Sequence, residues 1–283
     1  MTTTDLPGLA LLRRLKRAAA SDDASPLAAL AGGFTPRIIR KDSCGVGFNY
    51  LVGDAVAASW YDAPPAPALT MAEAEARPLT LDRAAAIDWE EMRVLRDHVV
   101  RPGDRILECG CHQGLTTLLL AAWTGPGGFV SAFDAVVFNA LVAKANLALN
   151  GIGHATVTCA AIGGERGMVN LFHDSNVVAQ KGGDWQRERA VMVMLEDIAD
   201  GPFDVLKLDI EGAELGVMET SAEVVRRIPR IAIEVHTDLL PADGIARLLA
   251  TLEGRALHVL WADNRLEPYA GQPIAERVHL FAW

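Results

Sequence analysis

From Arg105 onward, short apolar runs alternate with segments of helical periodicity, and this alternation restricts the fold more than any other feature of the chain. Strands that alternate with helices predict βαβ units, which build a parallel sheet. The predicted strands are Arg105–Cys109, Phe129–Phe133, Thr156–Ala160, Val205–Asp209, Arg230–Val235, His258–Trp261 and Val278–Trp283. The predicted helices are Leu115–Trp123, Phe138–Leu149, Gly212–Glu219 and Pro241–Leu252. The chain is therefore expected to adopt an α/β fold.

The segment before this alternation predicts an α+β extension. Residues 1–30 alternate apolar and basic residues, which is typical of short helices, and residues 37–61 carry apolar pairs that indicate short strands. Further features are predicted turns at Gly45, Gly47 and Gly53-Asp54, a Pro/Ala-rich linker at 63–67, and a helix over 80–100 with Thr80 as its N-cap. We therefore divide the chain into an extension, residues 1–80, and a main domain, residues 81–283.

An irregular segment interrupts the main domain between residues 167 and 198. Met168–Phe172 and Val191–Leu195 have the apolar, β-branched composition of extra strands. The polar stretch from Asp174 to Arg187 between them predicts a loop. This segment and the N-terminal extension are expected to cover a substrate.

Charge and apolar pattern exclude several classes of protein. The formal net charge is −10, whereas a nucleic-acid binder needs a basic surface for phosphate contacts. No apolar run reaches the ~20 residues of a membrane span. Basic residues interrupt the N-terminal apolar stretch, unlike in a signal peptide, and the four cysteines lack the spacing of a zinc site. We expect a cytoplasmic protein with no nucleic-acid or membrane partner and no structural metal, whose apolar N-terminal region could pack in a homo-oligomer.

A glycine-containing loop joins the first strand of the alternation to its helix. Its pattern is an acid, Glu108, followed by Gly110 and, four residues later, Gly114. A dinucleotide site needs Gly-x-Gly-x-x-Gly, whose second glycine makes room for a pyrophosphate, and His112 stands there instead. The spacing favours a cofactor without phosphate, such as S-adenosylmethionine, whose cationic end Glu108 would orient. An ordinary tight βα turn is the alternative.

Asp134 ends the second strand of the alternation. An acid at this place accepts the two hydroxyls of a ribose in nucleotide-binding folds. It follows Glu108 at close to the usual separation for such a pair. A helix-capping aspartate is the alternative interpretation of Asp134 taken alone.

Further acids and a histidine follow the last two parallel strands. Asp209 ends one strand, and Glu234 and His236 lie two residues apart on the next, so they share a face. We predict that Asp209, Glu234 and His236 are catalytic, since His236 titrates near neutrality and could remove a proton from an acceptor. A divalent metal on the same three residues is an open alternative. Mutual pairing, or pairing with Lys207, would give them a structural role instead.

These motifs together resemble the FkbM-type methyltransferases. The resemblance rests on the segment from Val205 to Glu214, on the segment from Pro229 to His236, and on the loop from Glu108 to Gly114. It covers roughly residues 86–265. Two departures are Asp134-Ala135, where the family usually has Glu-Pro, and Cys111-His112-Gln113 in the middle of the loop.

The resemblance implies a class I methyltransferase fold: a Rossmann-like, mostly parallel seven-stranded sheet with helices on both faces. It implies S-adenosylmethionine as cofactor and methyl transfer mainly to oxygen, on sugars and natural-product hydroxyls. The expected cofactor-binding residues are Glu108, Gly110, Cys111, His112, Gly114, Asp134, Ala161 and Asp209.

The expected function is S-adenosylmethionine-dependent O-methylation of a small-molecule hydroxyl. Three alternatives remain open. They are N-methylation of a small molecule or peptide, a non-catalytic S-adenosylmethionine-binding protein, and a nicotinamide-dependent oxidoreductase, against which the glycine spacing argues.

Overall fold

The computed structural model describes residues 37–52, 68–87, 89–173, 177–178, 186–199 and 201–283. Its strands are β1 Arg37–Ser43, β2 Val46–Val52, β3 Thr80–Leu81, β4 Arg105–Cys109, β5 Phe129–Asp134, β6 Ala155–Cys159, β7 Ala161–Ile162, β8 Gly167–His173, β9 Val177–Val178, β10 Gln186–Val193, β11 Val205–Leu208, β12 Arg230–Val235, β13 Leu257–Leu260, β14 Leu266–Pro268 and β15 Val278–Ala282. Its α-helices are α1 Met71–Glu75, α2 Glu90–Val94, α3 Leu115–Thr124, α4 Val137–Leu149, α5 Leu195–Ile198, α6 Glu214–Thr220, α7 Ala222–Arg227 and α8 Gly244–Thr251.

The central sheet has the strand order β14-β13-β15-β12-β11-β4-β5-β6. Strands β4, β5, β6, β11 and β12 run parallel, and β15 is antiparallel to both β12 and β13. This is the predicted α/β fold, with the seven strands of the class I methyltransferases. The short strand β14 adds an eighth at the edge, because it pairs with β13 through a tight turn.

Apolar residues fill both faces of this sheet. Every residue of β11 is buried, as expected of a central strand covered by helices on both sides. One core cluster includes Trp123 and Leu118 of α3, and the other includes Met218 of α6 and Leu248 of α8. Full burial of one such side chain contributes about 1.5–3 kcal/mol to folding. These two cores hold the strand ends in fixed relative positions.

The hairpin of β1 and β2 is attached to α4 by asparagine side chains. Asn150 accepts from the Asn49 amide at 2.8 Å and donates to the Asn49 carbonyl at 2.7 Å. Asn146 accepts from the Leu51 amide at 2.7 Å and donates to the Gln113 carbonyl at 2.8 Å. These bonds satisfy backbone groups of β2 that β1 leaves unpaired, and they connect the hairpin to the loop after β4.

Two local predictions in this region are wrong. Thr80 does not cap a helix, because it pairs with Gly47 in the β2–β3 ladder, and α2 begins only at Glu90. Gly47 lies within β2 rather than in a turn. A Cβ there would lie within 2.5 Å of the Thr80, Arg40 and Asp42 side chains, which explains the glycine. The predicted turn at Gly45 is confirmed, since Cys44 and Gly45 join β1 to β2.

The predicted strand Met168–Phe172 is confirmed as β8, whereas the predicted strand Val191–Leu195 is only partly correct, because β10 begins at Gln186 and ends at Val193 and Leu195 begins α5. Strands β8 and β10 are antiparallel, and with β7 and β9 they form a four-stranded sheet in the order β7-β10-β8-β9. Within the predicted loop from Asp174 to Arg187, residues 177–178 and 186–187 are strand residues. The predicted helices of residues 1–30, the turn at Gly53-Asp54 and the linker at 63–67 lie outside the described residues. Among the described residues no helix is both long and apolar enough to span a membrane.

Candidate active site

A cavity of about 250 Å³ opens where the carboxyl ends of β4, β5 and β11 meet. Open α/β sheets bind their ligands at this edge, where the order of the strands reverses. Six residues predicted from the sequence line the cavity, and they are Gly110, His112, Asp134, Ala161, Asp209 and Glu234. The structure thus brings residues from five separate parts of the chain to one site.

The turn after β4 depends on glycine at two positions. Gly110 has φ +86°, and a Cβ on it would lie 1.6 Å from the Asp209 carbonyl oxygen. Gly114 has φ +84°, and a Cβ there would lie 2.9 Å from the Ala143 Cβ on α4. Gly110 therefore allows β4 and β11 to approach each other at the cavity, whereas Gly114 allows α3 to pack on α4. Gly114 and Cys111 do not line the cavity.

Asp134 is held at the cavity by backbone donors. The His112 amide donates to one carboxylate oxygen at 2.8 Å, and the Val136 amide donates to the other at 2.9 Å. Burial raises the pKa of Asp134 to about 7, although these bonds and the Asn139 side chain oppose the shift. With Asn139, three donors already contact the carboxylate, which leaves about one of its ~4 lone-pair sites for a ligand hydroxyl.

Glu108 lies one layer behind the cavity. It is fully buried and accepts from the Thr117 hydroxyl at 2.7 Å, while its Oε1 has no hydrogen-bond partner among the described residues. Burial raises the pKa of Glu108 to about 7, against the opposing charge of Lys207 on the neighbouring strand. The structure therefore leaves one buried acceptor atom of Glu108 without a partner.

Asp209, Glu211 and Glu234 form an acidic edge of the cavity. His236 lies behind this edge and does not line the cavity. It is fully buried, and its Nδ1 lies 2.8 Å from Oε1 of Glu214, which is also fully buried. Glu214 in addition accepts the Gly212 amide at 3.0 Å. Glu214 is the first residue of α6, and its side chain orients His236.

The acidic residues at this edge influence one another. Burial raises the pKa of Glu211 and of Glu234. For Asp209, burial is outweighed by Lys207, whose Nζ lies 3.4 Å away, and the pKa is lowered. Burial alone would lower the pKa of Lys207, but Asp209 and the nearby glutamates raise it. For His236, burial is likewise outweighed by the Glu214 hydrogen bond and by nearby carboxylates, and the pKa is raised.

Two parts of the site were missed from the sequence. Glu211 and Arg277 line the cavity, and Arg277 Nη1 lies 3.5 Å from Glu234 Oε1. Glu211 has φ +49°, an uncommon conformation for a residue with a side chain that often marks functional sites. An apolar wall is formed by residues of β7, β8 and β10, namely Ile162, Val169, Leu171 and Met192. The alternation along β8 and β10 was a signal for this wall, since one face of these strands is apolar.

Comparison with known proteins identifies the domain. The sequence model described as Methyltransferase FkbM domain matches residues 96–257, more than half of the chain. No curated protein sequence matches the chain significantly.

Several solved structures resemble the chain at low identity. An S-adenosylmethionine-dependent O-methyltransferase from Thermotoga maritima is 18% identical, with a TM-score of 0.41, covering 70% of this chain and 65% of that chain. A methyltransferase FkbM from Methylobacillus flagellatus is 16% identical, with a TM-score of 0.42, covering 70% and 56%. An rRNA methylase from Streptococcus thermophilus is 14% identical, with a TM-score of 0.43, covering 70% and 98%. At such low TM-scores these likenesses do not bear on the substrate.

The family match covers β4 to β12, which include the glycine turn, Asp134 and the acidic strand ends. The chain is an S-adenosylmethionine-dependent methyltransferase and belongs to the FkbM methyltransferase family.

Proposed function

We propose that the protein methylates a hydroxyl oxygen of a small molecule, such as a sugar or a natural product. The observation that carries this proposal is the lining of the cavity, which combines Asp134 with the carboxylates of Asp209, Glu211 and Glu234. Its volume of about 250 Å³ lies just below the ~300–1,000 Å³ that is typical of ligand pockets.

The residues present fit S-adenosylmethionine. The carboxylate of Asp134 has acceptor capacity left for a ribose hydroxyl, and Gly110 lines the cavity without presenting a side chain to it. The unpartnered Oε1 of Glu108 provides a negative group behind the glycine turn for the cationic end of the molecule. When bound, the cofactor supplies an electrophilic methyl group on a sulfonium. Because that group needs little activation, the protein contributes mainly position and alignment.

The acidic edge favours a hydroxyl acceptor. A hydroxyl loses a proton when it is methylated, and general-base residues take up such protons. Glu211 is the carboxylate placed for this step, because it lines the cavity and lies 3.3 Å from Nε2 of His236. His236 itself is fully buried behind Glu211, so we assign it to the support of the acidic edge rather than to direct contact with the acceptor.

The test combines binding with turnover. Calorimetry with S-adenosylhomocysteine should show one site per chain, which Asp134→Ala weakens. Incubation with methyl-labelled S-adenosylmethionine and panels of sugars, phenols and amines should label hydroxyl compounds. Glu211→Gln should lower this turnover while leaving S-adenosylhomocysteine affinity within about twofold. Labelling of amines alone would replace O-methylation by N-methylation, and binding with no turnover on any panel would favour a non-catalytic role.

A further inference from the structure

We propose that Asp209, Glu234 and His236 bind a divalent transition-metal cation at the edge of the cavity. The existence of this site does not depend on the acceptor, whereas its role in methylation rests on the proposed function. Each of these three residues offers one ligand atom, and these atoms lie within 4.8 Å of one another.

The topology of the sheet explains this convergence. Strands β11 and β12 are parallel neighbours, so Asp209 follows one strand at the same edge at which Glu234 and His236 end the next. Ligand atoms about 2.1 Å from a shared cation lie roughly 3 to 4.2 Å apart. The observed cluster therefore needs only small side-chain movements to surround an ion.

The imidazole of His236 provides an independent indication of a ligand. Its side chain has no exposed surface, and Nε2 makes no hydrogen bond to any described residue. Nε2 nevertheless faces carboxylates, with Glu211 Oε2 at 3.3 Å and Glu234 Oε1 at 3.8 Å. A buried polar atom without a partner requires an explanation, and a cation shared with these oxygens supplies one.

Glu214 prepares His236 for this role. Its carboxylate accepts from Nδ1 at 2.8 Å, and this places the ring proton on Nδ1. The lone pair of Nε2 then points away from Glu214, toward the acidic cluster. Metal-bound histidines nearly always donate their second ring N–H to a carboxylate or carbonyl in this way.

The charge of the cluster favours a dication. Four carboxylates meet here, those of Asp209, Glu211, Glu214 and Glu234, against the permanent cations Lys207 and Arg277. Four negative charges and two positive charges leave an excess of two. A divalent cation with a neutral His236 would neutralise this excess.

The resident cations do not saturate the ligand oxygens. Lys207 contacts Asp209 at 3.4 Å, and Arg277 contacts Glu234 at 3.5 Å. Both contacts are longer than the usual ~2.7–2.9 Å of a charge-assisted hydrogen bond. The mixture of imidazole and carboxylate favours Mn²⁺ and later first-row ions over Ca²⁺. In the proposed methylation reaction, such an ion would lower the pKa of the acceptor hydroxyl.

The test is a titration of the full-length protein, stripped with EDTA and desalted, with Mn²⁺. Electron paramagnetic resonance measures the free ion, whose signal is lost on binding. We expect one Mn²⁺ per chain, at least 10-fold weaker binding in Asp209→Asn and in Glu234→Gln, and about 10–100-fold weaker binding in Glu214→Gln. Glu219→Gln is the matched control, since this acid on α6 pairs with Arg247 outside the cluster.

Two results would overturn the inference: no saturable Mn²⁺ binding by the wild type, or unchanged affinity in both ligand variants, each shown by circular dichroism to be folded. Calorimetry with S-adenosylhomocysteine on the same metal-free protein separates this inference from the function. Binding of S-adenosylhomocysteine without any Mn²⁺ binding refutes the metal site alone. Mn²⁺ binding without S-adenosylhomocysteine binding would instead contradict the cofactor site.

Discussion

Replacing Gly110 by alanine should destabilise the protein far more than the same change at Gly103. Both glycines have nearly the same backbone conformation, with φ +86° and +88°. A left-handed conformation costs a residue with a Cβ about 1–2 kcal/mol. They differ in their surroundings, because a Cβ at Gly103 meets nothing within 4 Å, whereas one at Gly110 would lie 1.6 Å from the Asp209 carbonyl oxygen.

The magnitude follows from that overlap. To restore van der Waals contact, the end of β11 must move away from β4 by roughly 1.5 Å, because the clashing atom belongs to the backbone and cannot rotate away. Such a movement breaks the hydrogen bond from the Asp209 amide to the Cys109 carbonyl, now 3.0 Å long. Loss of that bond costs about 0.5–1.5 kcal/mol, and the overpacking costs about 1–3 kcal/mol. With the backbone strain, Gly110→Ala should lower the free energy of unfolding by about 3–6 kcal/mol, against about 1–2 for Gly103→Ala.

Urea unfolding followed by circular dichroism measures both changes, with calorimetry of S-adenosylhomocysteine as the second readout. A loss of this size is a large part of the roughly 5–15 kcal/mol that stabilises most domains. We expect Gly103→Ala to bind S-adenosylhomocysteine normally and any folded Gly110→Ala to bind it at least 10-fold more weakly. Equal unfolding free energies for the two variants would refute the close approach of β4 and β11.

Three further predictions follow from buried polar groups. Because burial raises the pKa of Asp134 to about 7, and the ionised form accepts ligand hydroxyls, S-adenosylhomocysteine affinity should rise from pH 6 to pH 8. In Asp134→Asn calorimetry should show a shallower pH dependence and about 10–100-fold weaker binding, and an unchanged profile would contradict this role. Asp104→Ala should lower the free energy of unfolding by about 3–5 kcal/mol in urea, because it leaves the buried guanidinium of Arg230, now 2.7 Å away, without its partner; a loss below 1 kcal/mol would refute this. Asn146→Ala should cost about 2–4 kcal/mol in the same assay, because it removes the acceptor of the Leu51 amide and a second buried bond; an unchanged midpoint would show that β2 does not depend on this side chain.

The parallel sheet could be predicted from the sequence because its signals are local. The parallel strands β4, β5, β11 and β12 are short, mostly apolar runs, and Arg105–Cys109 and Arg230–Val235 begin and end at the predicted residues. Where the local signal was weaker, prediction failed. Thr80 looks like a helix cap, but tertiary pairing with β2 places it in a strand.

The sequence also determined which polar residues would meet. Parallel strands must end at one edge, so acids and glycines placed directly after strands converge there whatever the details of packing. Gly110, Asp134, Asp209 and Glu234 all lie at or just after the ends of parallel strands, and all four line the cavity.

Only the tertiary structure decided how deep each residue lies and what it contacts. Depth depends on the packing of distant segments, which no local pattern encodes. Glu108 and His236 lie behind the cavity, Glu214 orients His236, and Arg277 reaches Glu234 from 43 residues away. Strand direction and period are local properties, so the sequence indicates which strand ends share one edge of the sheet, whereas burial and side-chain contacts arise only when the whole chain packs.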